Sequence, residues 1–156
     1  MKKRQYIRAI RRNISHIILC STNTGPEVFT LQEVNDAKRK HGFQDCGHHL
    51  LVRKDGTVEV NRQVCDPARC SRNHNAGAVS IAYIGGNSDD EQANTATLDQ
   101  LKVVEALAVA LAHVFPMATV VARNECTGTD YGSACLRDMA HRANTILRKE
   151  SFLSCE

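Results

Sequence analysis

The chain contains no tryptophan, and aromatic residues make up only 4% of its 156 positions. Stacking platforms for sugar rings or bases are therefore scarce. No apolar run approaches the roughly 18 residues of a transmembrane helix, so no membrane span is expected. The seven cysteines are odd in number and lack short metal-binding spacing. Free thiols in a reducing compartment are expected rather than a disulfide framework, with Cys65 and Cys70 as the exception left open. Gly85-Gly86 and Gly128 are turn residues, and no phosphate-binding G-x-x-x-x-G-K-[ST] loop is present. Internal repeats, low-complexity tracts and evident domain boundaries are also absent.

What is present fits one soluble domain: 42% hydrophobic and 24% charged residues, in a chain long enough to bury a substantial core. The net charge of +3 is concentrated at the start, in Lys2, Lys3, Arg4, Arg8, Arg11 and Arg12. This basic segment, residues 1–13, could face an anion, but a solvated terminus is the plainer reading. Nucleic acid is an unlikely partner. No apolar stretch of signal-peptide type precedes Ile14, so the expected location is cytoplasmic. Residues 14–150 form the expected domain, and 151–156 a C-terminal tail.

Periodicity places the elements. Ile14 to Cys20 reads as a buried strand and Ser21 to Val28 as a loop. Thr30 and Glu33 form a capping box for a helix with Leu31, Val34 and Ala37 on one face, stopped by Gly42. His48 to Arg53, the Lys54-Asp55-Gly56 turn and Thr57 to Asn61 read as a hairpin. Val64 to Ala76 is an irregular loop, Ala78 to Ile84 a strand, and Asn87 to Ala96 a polar linker. Thr97 and Gln100 begin the longest helix, whose Leu101, Val104, Leu107, Ala108 and Leu111 have helical spacing, and Pro116 ends it. A short strand, Ala118 to Ala122, a loop, Arg123 to Ala134, and a last helix, Leu136 to Leu147, complete a mixed α/β order.

The stretch from Gly42 to Arg62, GFQDCGHHLLVRKDGTVEVNR, resembles the central hairpin of zinc-dependent N-acetylmuramoyl-L-alanine amidases. That family is shared by phage lysozyme-type amidases and peptidoglycan recognition proteins, and has G-Y-H-F/Y before a D-G-T-V turn. The segments ILCST, SIAYIGG, the long helix, VARNEC and SAC follow in the family's order, so the likeness runs from Ile14 to about Asp138. It implies a single-domain α/β fold, with a central mixed sheet of about five strands flanked by helices on both faces. It also implies a zinc ion held by two histidines and a third ligand, with an open position for an activated water.

The residues at those positions differ. The first ligand corresponds to Leu19, which has no lone pair, and Cys20 beside it should point to the opposite face of the strand. The second corresponds to Arg123, whose guanidinium is a permanent cation without a free lone pair. Only Cys135, at the third, is ligand-competent, and a buried structural thiol is its plainer role. The family's helper tyrosine and lysine correspond to His48 and Ser133. His16 should be satisfied or partly exposed. A relocated metal site built from His48, His49, His74, Cys70, Cys126 and Cys135 is disfavoured by spacing, since His48 and His49 alternate across a strand. Nothing in the sequence brings Cys70 or Cys135 to His48 as a nucleophilic pair.

The resemblance and its replacements together imply an amidase-like protein with neither zinc nor another cofactor, and with no assigned catalytic residue. It would bind peptidoglycan fragments, or another ligand, in the former cleft through His48, His74, Arg123 and Glu125. One alternative is an active amidase, with zinc, cleaving the muramic acid to L-alanine amide at an atypical site. The other is a module that holds a protein partner.

Overall fold

The computed structural model describes residues 12–86, 95–127 and 134–153. In chain order these form β1 (His16–Ser21), α1 (Leu31–Lys40), β2 (Leu50–Val52), β3 (Val58–Val60), β4 (Ala78–Tyr83), α2 (Leu98–Val114), β5 (Thr119–Ala122), α3 (Arg123–Thr127) and α4 (Ala134–Leu153), with a 3-10 turn at Asn75–Gly77. The five strands make one mixed sheet in the order β3-β2-β4-β1-β5. β1 runs parallel to β4 and β5, β2 runs parallel to β4, and β3 returns antiparallel to β2 as the hairpin.

Local chemistry sets the boundaries. Thr30 and Thr97 each accept a hydrogen bond from the backbone N–H three residues on, and Glu33 and Gln100 bond back to the cap, so both expected capping boxes form. Gln100 does more: its fully buried side-chain amide donates to the Val52 and Ile84 carbonyls at 3.0 Å each, tying α2 to the ends of two strands. The loop expected from Arg123 begins instead as the short helix α3, and α4 runs beyond Leu147 to Leu153. At the start of α3, the Glu125 carboxylate accepts from the Ala122 N–H at 2.7 Å, a local cap that a strand-to-loop reading could not supply.

Strand alternation divides the sheet into two unlike faces. Ile17, Leu19, Val52, Ile81 and Tyr83 turn toward α2 and α4, where Val104, Ala108, Met139, Ala140 and Ala143 close the main core. Ile18, Cys20, Ala78 and Ala82 face the other way, with Ala68 and Cys70 from the loop after β3 lying over them. Farther along that second face, α1 covers Leu51 and Ile84 with Val34. Helices thus cover both faces, one extensively and the other only at one end.

Arg12 is built into the fold. Its guanidinium donates to the carbonyls of Val64, Asn75, Ala76 and Ala78. That accounts for one of the six early cations as a structural clasp; Lys2, Lys3, Arg4, Arg8 and Arg11 lie outside the described residues, as do the linker 87–94 and the tail 154–156. No described helix is long and apolar enough to cross a membrane.

Candidate functional site

The loop-covered face of the sheet gathers three ligand-capable side chains from three separate segments. Cys20 comes from β1, His48 from the approach to β2, and Cys70 from the loop before β4. One donor atom from each lies within 4.8 Å of the others. All three are buried, with relative exposures of 1%, 5% and 7%.

Each is held by identifiable contacts. Gly47 adopts φ +77°, and a Cβ there would lie 2.5 Å from the Arg69 carbonyl oxygen, so only glycine lets the segment before His48 approach the one before Cys70. The Arg69 N–H donates to the Gly47 carbonyl at 2.8 Å across this contact. Asn75 Oδ1 accepts from the backbone N–H groups of both Cys70 and Ser71 at 2.9 Å. Asn61 donates its side-chain amide to the His48 carbonyl at 2.9 Å, and Asn35 donates in turn to Asn61.

The two thiols lie side by side and have opposite tendencies. Cys20 is pushed well up by its interaction with Cys70 and by burial, and its thiol donates to the Ile18 carbonyl at 4.0 Å. Cys70 is pulled down by that same interaction, against the opposing effect of burial, with further help from His48 and Ser80. Nδ1 of His48, however, is buried without a hydrogen-bond partner. A buried polar atom left unmatched is costly, about 1–3 kcal/mol, and marks a place where something else belongs.

Positive charge borders this cluster. Arg123, exposed at the start of α3, lies close enough to favour the Cys20 thiolate. Burial lowers the half-buried Lys38 of α1, and the Arg123 charge adds to that effect. Cys126, one turn along α3, is partly buried against the same cluster, and burial followed by the charge on Cys70 raises it.

At the position matched to the family's first ligand, the strand places Leu19 and Cys20 on opposite faces. Leu19 is wholly buried in the helix-covered core, whereas Cys20 faces the cluster. In a strand, one residue is the difference between the two sides. Cys20 is the donor that sequence reasoning leaves out, because spacing along the chain does not bring it to His48 and Cys70. Cys135 packs against the main core with α2 and α4 and does not join Cys20, His48 and Cys70. The set Leu19, Arg123 and Cys135 does not fit a zinc ion: Leu19 offers no lone pair and Arg123 is a permanent cation, which leaves one competent donor.

Other candidates fall into structural roles. Glu125 caps α3 and pairs with His141 at 3.0 Å. His74 accepts or donates at Ser71 Oγ, 3.2 Å away, and its ring meets partly exposed His16 edge-on at 5.2 Å. His49 is a buried bridge: its Nδ1 accepts from the Ser80 N–H at 3.0 Å, which leaves Nε2–H to donate to the Asp66 carbonyl at 2.9 Å. Cys65 and Cys70 are not joined, and the six cysteines of the described residues are all thiols. Ser133 lies outside the described residues.

No family profile matches the chain. Its sequence is 23% identical to the endolysin of Escherichia phage T7 over 107 residues, covering 68% of this chain and 71% of that protein. It is 26% identical to the endolysin of Klebsiella phage KP32 over 118 residues, covering 74% and 78%. Among solved structures, the N-acetylmuramoyl-L-alanine amidase LysC from Clostridium intestinale URNW superposes with a TM-score of 0.68 at 19% identity, over 85% of this chain and 87% of that one. The Ph2119 endolysin of a Thermus scotoductus MAT2119 bacteriophage gives 0.67 at 24% identity, over 85% and 86%. Drosophila peptidoglycan recognition protein SD gives 0.60 at 16% identity, over 85% and 83%. In sequence the chain is similar to these phage endolysins, and its fold is that of the amidases and peptidoglycan recognition proteins.

Proposed function

We propose that this amidase-like protein takes peptidoglycan fragments into the cleft over Cys20, His48 and Cys70 and holds them without hydrolysing them by the family's zinc chemistry. The observation that carries this reading is the replacement of the family's ligand set on an otherwise retained scaffold. Leu19 is turned into the helix-covered core, and Arg123 puts a cation where the family would bind one.

Lys38 and Arg123 at the rim suit an anionic ligand, and a guanidinium is well matched to the carboxylates of a stem peptide. One structural neighbour, a tyrosine-to-phenylalanine mutant of Drosophila PGRP-LB, was solved in complex with tracheal cytotoxin, which makes a ligand of that class a reasonable first probe. The scarcity of aromatic side chains argues that recognition rests on the peptide rather than on stacking against sugar rings.

A second reading, hydrolysis of the muramic acid to L-alanine amide at an atypical site, is favoured by one specific observation: the three converging donors. Calorimetric titration with a defined muropeptide, followed by chromatography of the same mixture, separates the two. Saturable binding with intact muropeptide is the expected result. Release of free stem peptide overturns the non-hydrolytic reading, and absence of binding overturns both.

A further inference from the structure

We propose that Cys20, His48 and Cys70 form a binding site for a thiophilic divalent cation, zinc in the first instance, with Cys126 as the fourth donor. The site uses none of the positions Leu19, Arg123 and Cys135, and stands whether or not a peptidoglycan fragment binds above it.

The donor chemistry is specific. Two thiols and an imidazole form a set that zinc accepts, and sulfur ligands select against hard cations such as magnesium and calcium. Metal bonds of about 2.3 Å to sulfur and about 2.0 Å to nitrogen place tetrahedral donors roughly 3.5 Å apart. Donors already within 4.8 Å of one another need only small side-chain rotations to reach that spacing. Two thiols alone would point no further than to each other. Here the imidazole supplies a third donor, and its Nδ1 is buried without a partner.

The surroundings are those of a built site. Gly47 against Arg69, Asn61 on the His48 carbonyl, and Asn75 on the Cys70 and Ser71 amides fix the approach of two of the three segments. Ile18, Ala68, Ala78 and Ala82 form an apolar shell that keeps water away from the donors. Cys126 is packed against this shell from α3. From there it is the side chain placed to supply a fourth donor, which would complete a tetrahedral set.

The test uses the full chain purified under reducing conditions. Zinc content is measured by elemental analysis, and chelator-stripped protein is titrated with Co²⁺ while the visible and near-ultraviolet spectrum is recorded. Stoichiometric zinc, tetrahedral Co²⁺ bands and sulfur-to-cobalt charge transfer are expected. Cys20→Ser, His48→Ala and Cys70→Ser each abolish stoichiometric binding, and Cys126→Ser weakens the charge-transfer band. Cys135→Ser, on the other face, leaves both readouts intact. Circular dichroism of each stripped variant distinguishes lost ligation from lost fold. Where a variant does not fold, slowed reaction of the wild-type thiols with a thiol reagent on adding Zn²⁺ provides the independent measure. Folded wild-type protein that takes up no stoichiometric metal overturns the proposal, as does binding that survives both Cys20→Ser and Cys70→Ser. Repeating the muropeptide titration on stripped protein keeps failure here distinct from failure of fragment binding.

Discussion

The two faces of the central sheet are built from the same strands yet have opposite characters. Toward α2 and α4, the large side chains of Ile17, Leu19, Ile81 and Tyr83 pack on an apolar helix surface of Val104, Ala108, Met139, Ala140 and Ala143, and the packing is the source of stability. Toward the loop before β4, the same strands present Ile18, Cys20, Ala78, Ser80 and Ala82, mostly small or polar, and leave room for His48, His49 and Cys70. One face serves cohesion and the other placement. Substitutions on the two faces should therefore separate stability from binding.

The largest stability effect is expected at Leu19. Leu19→Ala opens a cavity in the main core and should cost about 2–5 kcal/mol in denaturant unfolding, while Cys20 and Cys70 keep their contact. A loss of ligand binding in folded Leu19→Ala protein would break the division between the faces. Gly47→Ala is the converse case. It should cost about 1–3 kcal/mol from the positive φ, with added strain from the Arg69 carbonyl, and in addition should separate His48 from Cys70. Unchanged binding in that variant would show that the close approach at Gly47 does not set the cluster.

His49→Gln should lower stability by about 1–3 kcal/mol, because Ser80 and Asp66 lose a fitted bridge. It also tests the acid limb. Burial lowers the pKa of His49, with the cations Arg12 and Arg62 adding to the effect while Cys70 and the Asp66 backbone oppose it. The folded state therefore holds the neutral ring, whereas the unfolded chain takes up a proton below about pH 6.5. The contribution is fully present above that pH and is lost as pH falls below it. The variant should flatten the stability curve between about pH 6.5 and the region, near about 4, where carboxylates begin to titrate. An unaltered slope would remove His49 from the account. The smallest effect is expected at Thr97→Ala on the helical side, about 1 kcal/mol from the lost cap, read as a shift in the unfolding midpoint.

Much of the first face was legible in the sequence. The helical spacing of Val104 and Ala108 and the capping residue Thr97 each act on neighbours a few residues away, so reading along the chain was enough. The second face was less so. Sequence spacing and resemblance put His48 in the cleft and include Cys70 and Cys126 among possible ligands, but they pass over Cys20. Glu125 and His74 look like cleft residues because their types suit binding, yet each is engaged with nearby structure.

The sequence by itself determined the five strands, the three longer helices, and the caps of α1 and α2, because each depends on local spacing, while the short helix α3 was read as loop. Only the tertiary structure decided which thiols meet an imidazole. Cys20, His48 and Cys70 are far apart along the chain and carry no shared motif. They converge because β1 and β2 both pair with β4, and because the absence of a side chain at Gly47 lets the loop carrying Cys70 close over the sheet.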